Sequence, residues 1–84
     1  MEDAKILVVD DKEANIYAMN ELLASIKDLQ VISARSGAEA LSLILRHDFA
    51  LVLLDVQMPD MDGIETAALI RDGDSNSQTP IIFV

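Results

Sequence analysis

Two apolar runs that each end on acid constrain this chain more than any other feature. Ile6-Leu7-Val8-Val9 runs straight into Asp10-Asp11, and Leu51-Val52-Leu53-Leu54 runs straight into Asp55. Runs of Val, Ile and Leu with almost no polar alternation read as strands buried on both faces of a parallel sheet; a strand with one wet face would alternate. Parallel strands need long crossovers, and segments with a helical period fill the gaps. From about Glu13 to Lys27 apolar residues fall at Ile16, Met19, Leu22, Leu23 and Ile26, the spacing of one helix face.

The remaining punctuation continues the alternation. Gln30 to Ala34 reads as a short strand around Val31 and Ile32. Ser36-Gly37-Ala38-Glu39 fits a capping box, with Ser accepting from first-turn amides and Glu reaching back. A helix follows through Ala40, Leu41, Ile44 and Leu45, ending near His47-Asp48. Ala50 to Leu54 is the third strand. Asp62 with Glu65 three residues later marks another helix start, and Ile64 to Arg71 is the third helix. Gly73 to Thr79 reads as a polar, flexible connection, after which Pro80 opens a last strand, Ile81 to Val84. The order βαβαβαβ predicts an α/β fold: a parallel sheet with right-handed crossovers and helices on both faces.

Composition removes several function classes. Fifteen Asp and Glu against six Lys and Arg give a net charge of −9, which repels nucleic-acid phosphate. No apolar run is long enough to cross a membrane, and the start, Met1-Glu2-Asp3-Ala4-Lys5, lacks the basic and apolar regions of a signal peptide. The absence of cysteine excludes disulfides and thiolate chemistry and fits a cytoplasmic protein.

The acids at the strand ends carry the chemistry. Taken singly, one of Asp10-Asp11 could cap the next helix, Asp55 could begin a turn, and Asp60 and Asp62 fit turn and cap roles. Taken together, two buried strands ending in acid, side by side, would gather three carboxylates where α/β sheets bind ligands. Such a cluster repels itself and calls for a cation. Mg²⁺ suits it, since this ion takes one or two protein carboxylates plus phosphate oxygens, and a carboxylate beside it can act as nucleophile toward a phosphoryl group. Asp60-Met61-Asp62-Gly63 lacks the closing Glu of a calcium loop, and no Gly-rich phosphate loop follows the first strand. His47 is expected to be solvated at a helix terminus, and Met58 and Met61 to plug the loop with apolar bulk.

Ile6 to Asp11, then Leu53-Leu54-Asp55-Val56-Gln57-Met58-Pro59-Asp60-Met61-Asp62-Gly63, resembles the receiver domain of two-component response regulators, as do Ser36-Gly37 with Glu39-Ala40-Leu41 and Thr79-Pro80-Ile81-Ile82. The resemblance implies a flavodoxin-like open sheet of order 2-1-3-4 with one helix on one face and two on the other. Residues 1–84 then form the N-terminal portion of a single domain, starting at Met1, with the fifth strand and last helices absent.

The same resemblance implies that Asp55 is the phosphoacceptor. Asp10, Asp11 and Asp55 would hold Mg²⁺ or Mn²⁺, with the main-chain carbonyl of Gln57 as a further ligand. The donor would be a phosphohistidine on a histidine kinase or phosphotransfer protein, or a small phosphodonor. Receivers are not enzymes beyond catalysing their own phosphorylation and dephosphorylation. They also carry a Ser or Thr after the fourth strand and a Lys ending the fifth, positions beyond Val84 that Lys5 and Lys12 are wrongly placed to replace, so phosphorylation is expected to be slow. The alternative is a fragment that docks with partners without switching. A third class, a Mg²⁺-dependent phosphohydrolase, is disfavoured by Gln57 standing where an acid/base partner is wanted. The last strand is apolar on both faces at a sheet edge, and the chain is expected to self-associate through that strand or the half-covered face carrying the first helix, or else to be marginally folded.

Overall fold

The computed structural model describes residues 3–84, and Met1, on which the placement of the domain's start rests, lies outside them. Seven elements alternate: β1 (Ala4–Val9), α1 (Glu13–Leu23), β2 (Leu29–Ala34), α2 (Gly37–Ile44), β3 (Leu51–Leu54), α3 (Gly63–Asp72) and β4 (Ile81–Phe83). All strand pairs are parallel, in the order β2-β1-β3-β4. Register brings Val9 opposite both Ala34 and Leu54, and Leu54 opposite Phe83.

Alternate residues of the central strands point to opposite faces, and each face has its own core. Leu7, Val9, Val52 and Leu54 pack with Ala40, Ile44, Ala67 and Ile70 of α2 and α3. On the other face Ile6, Val8 and Leu53 meet Met19 and Leu23 of α1. The expected division of one helix against two therefore holds.

The helix expected to reach Lys27 stops at Leu23, with Ile26 N–H turning back to the Leu23 carbonyl. Asp28 takes a left-handed conformation (φ 61°) and its carbonyl accepts from Ala4 N–H, starting β2. An 11-residue helix spans about 16 Å, already close to the length of the strand beneath it. Only Ile16, Met19 and Leu23 face the sheet; Leu22 and Ile26 are 71% and 51% exposed. Leu22 sits about 100° round the helix from Leu23, off the i, i+3, i+7 stripe.

The connection after α3 is ordered by a side-chain network. Asn76, also left-handed (φ 61°), accepts from Phe49 N–H through Oδ1 at 2.8 Å and donates through Nδ2 to the carbonyls of Ile44 and His47 at 2.9 and 2.7 Å. Arg71 closes the loop from the other side, donating to the carbonyls of Ser77 and Thr79. His47 is half-buried, its ring 5.7 Å from that of Phe49 and its Nδ1 3.3 Å from Lys5 Nζ, so it is not the solvated terminus expected. All of this lies at the amino end of the strands, away from the acids.

Candidate functional site

The site is built by two strand ends. Asp55 N–H donates to the Val9 carbonyl at 2.9 Å, and Asp10 N–H to that of Ala34 at 3.0 Å, so the residues following β3 and β1 stay within the sheet's hydrogen bonding. Chain direction across the sheet reverses between β1 and β3, the switch point at which such sheets bind ligands. Asp10, Asp11 and Asp55 each place a carboxylate oxygen within 4.8 Å of the others. At an effective dielectric of about 20, two charges at that separation repel by roughly 3 kcal/mol.

Each carboxylate is held differently. Asp10 is 7% exposed, and its Oδ1 accepts from Lys12 N–H at 2.9 Å, its Oδ2 from Asn15 Nδ2 at 3.1 Å. Asp11 is half-buried and pairs only with Lys12 Nζ at 3.5 Å, a solvated contact worth about 0–1 kcal/mol. Asp55 Oδ1 accepts from Gln57 N–H at 3.1 Å, while Oδ2 is buried with no hydrogen-bond partner. A buried, unpaired carboxylate oxygen beside two more carboxylates is costly unless a cation or proton meets it. The donor set, all oxygen, fits a hard divalent cation.

Asp60 and Asp62 stand apart from this cluster. Asp60 occupies a left-handed turn (φ 66°), and Asp62 caps α3, its Oδ1 accepting from Glu65 N–H at 2.9 Å. Ser36 caps α2 in the same way, but Glu39 reaches past it to Arg35 N–H, so the reciprocal bond of the expected box falls one residue upstream. Met58 is buried, and Met61 packs toward Gly37 as loop filler.

Two contributors were not identified in the sequence. Asn15, in the first turn of α1, supplies a side-chain donor to Asp10; its position one turn after the acid pair was the available signal. Gly63 brings α3 against the backbone of Asp55, so close that a Cβ there would lie 2.2 Å from the Asp55 carbonyl oxygen. Beside the acids, Asp10, Asn15, Met19, Leu53, Asp55 and Val84 border a cleft of about 270 Å³.

The open parallel sheet thus gathers three acids at the ends of its two central strands. Residues 6–84 match the response regulator receiver domain family, and the chain belongs to it. It is 32% identical over 79 residues to the polar-differentiation response regulator DivK of Brucella ovis, covering 94% of this chain and 63% of that protein. The chain therefore spans less than two thirds of the length of the curated relatives it matches. Among solved structures, the Vibrio cholerae chemotaxis protein CheY4 superposes with a TM-score of 0.90 at 31% identity, over 96% of this chain and 67% of the other. The N-terminal domain of a Methanoculleus marisnigri response regulator receiver protein gives 0.88 at 33% identity, over 94% and 63%. Among the described residues no helix is long and apolar enough to cross a membrane.

Proposed function

We propose that Asp55 receives a phosphoryl group from a phosphohistidine on a partner histidine kinase or phosphotransfer protein. The observation that carries this reading is the convergence of the Asp10, Asp11 and Asp55 carboxylates, with Asp55 Oδ2 buried and unpaired. An Asp55 carboxylate oxygen forms the new O–P bond as the N–P bond of the donor breaks, and the donor imidazole nitrogen keeps the electron pair. Asp10, Asp11 and Asp55, with the Gln57 main-chain carbonyl, are the residues that would hold Mg²⁺ or Mn²⁺. When bound, the ion supplies charge stabilisation to the phosphoryl oxygens.

The chain's own contribution is positioning. Gln57 N–H fixes the Asp55 carboxylate, the sheet bond to Val9 fixes its backbone, and the close approach of Gly63 backs it from behind. Holding the acceptor in place removes much of the entropy cost of the transfer. The acidic surface disfavours nucleic acid as a partner of this domain, and a cytoplasmic setting suits a histidine-kinase partner.

Incubation with a phosphohistidine donor and Mg²⁺ tests the proposal. Label should enter the chain only with the divalent ion present and should vanish in Asp55→Asn. Label that enters equally well in chelator, or that persists in the variant, would overturn it.

A further inference from the structure

Resting on the reading of the acid cluster as a divalent-cation site, we propose that Asn15 is a positioning residue for that site, acting through Asp10. A carboxylate offers no donor, so the amide nitrogen of Asn15, not its oxygen, must face Asp10 Oδ2. With Lys12 N–H on Oδ1 and Asn15 on Oδ2, both ends of the carboxylate are tied and its plane cannot turn. Losing the Asn15 bond leaves the Asp10 carboxylate tied at Oδ1 alone, beside the like charges of Asp11 and Asp55. The group would rotate away from them, and the three-oxygen arrangement would open.

The chemistry of an amide matters here. Asn15 donates to a buried acid without adding positive charge, so it does not compete with an incoming cation. Lys12 contrasts with it, a full positive charge 3.5 Å from Asp11 Oδ1. Asn15 is also free of capping duty, because the α1 N-cap is Lys12, with no side-chain cap bond. Each acid oxygen retains further lone pairs, so the amide and a cation can share Asp10. Asn15 itself is solvent-exposed, and its truncation opens no cavity in either core.

Metal affinity, rather than turnover, reads this role. Mg²⁺ titration followed by amide NMR, with Mn²⁺ relaxation enhancement for weak binding, compares the parent chain with Asn15→Ala in both the native and the Asp10→Asn backgrounds. In the native background the substitution should weaken affinity about tenfold, the lower end for loss of a partner that orients a metal ligand. In the Asp10→Asn background it should change affinity less than about twofold, because the group it acts through is already altered. Equal affinity of the parent and Asn15→Ala, or an equal loss in both backgrounds, would overturn the inference. Absence of any saturable response at Asp10, Asp11 and Asp55 in the parent chain would instead overturn the cation-site reading on which it stands.

Discussion

Gly63→Ala should damage this domain through a single methyl group. The added Cβ would lie 2.2 Å from the Asp55 carbonyl oxygen, 2.8 Å from Val56 Cα and 2.9 Å from the Asp55 carbonyl carbon. All three are backbone atoms, so no side-chain rotation gives relief. To restore ordinary contact, at 3.4 Å or more, α3 and the Asp55 segment must part by about 1 Å, stretching the Gly63 N–H bond to the Val56 carbonyl. Overpacking of this kind costs about 1–3 kcal/mol, and improved helix propensity returns no more than ~1 kcal/mol. Gly63 does not have a positive φ, so crowding is the whole of the effect. A net loss of about 1–2 kcal/mol lowers the melting temperature by roughly 4–16 °C in a domain of this size. If the acceptor moves instead of the helix, a 1 Å misplacement costs on the order of 10²-fold in phosphorylation rate. Gly37→Ala meets the flexible Met61 Sδ but also Thr66 Oγ1, which is fully buried and bonded to the Asp62 carbonyl, so it too should destabilise, without crowding the Asp55 backbone. Gly73→Ala meets nothing nearer than 3.7 Å and should be neutral. Thermal melts by circular dichroism, paired with Mg²⁺-dependent phosphorylation, rank the three variants. A Gly63→Ala variant that melts with Gly73→Ala and reacts as fast would refute the reasoning.

Other perturbations separate the site from its scaffold. Asn76→Ala leaves the Phe49 N–H and the Ile44 and His47 carbonyls without their partner, and should cost roughly 2–3 kcal/mol in denaturant unfolding while Mg²⁺ affinity stays unchanged. Asp62→Ala removes the α3 cap and should cost about 1 kcal/mol in the same measurement, again with intact metal affinity, because Asp62 is a cap and not a ligand.

The order of elements was legible because burial on both faces leaves an unmistakable apolar run, as in Ile6 to Val9 and Leu51 to Leu54. The three acids were legible for a related reason: once those runs are neighbouring parallel strands, the next residue on each lands at the same end. Ile26 continues the helical period past Leu23, where α1 stops, and Leu22 fits a generous period but lies off the stripe that meets the sheet, so the expected helix ran too long. The Gly73–Thr79 segment looked flexible by composition, yet Asn76 finds four partners only because α2, β3 and β4 converge there. The closeness of Gly63 to Asp55 is likewise a fact about how α3 returns to the end of β3. No local pattern encodes that distance.

The most direct test of the account is to locate the phosphoryl group. After reaction with a small phosphodonor and Mg²⁺, borohydride reduces an aspartyl phosphate to homoserine, and peptide mass spectrometry reads its position. Homoserine is expected at residue 55. Homoserine at Asp10, Asp11, Asp60 or Asp62, or phosphate retained on His47, would contradict it.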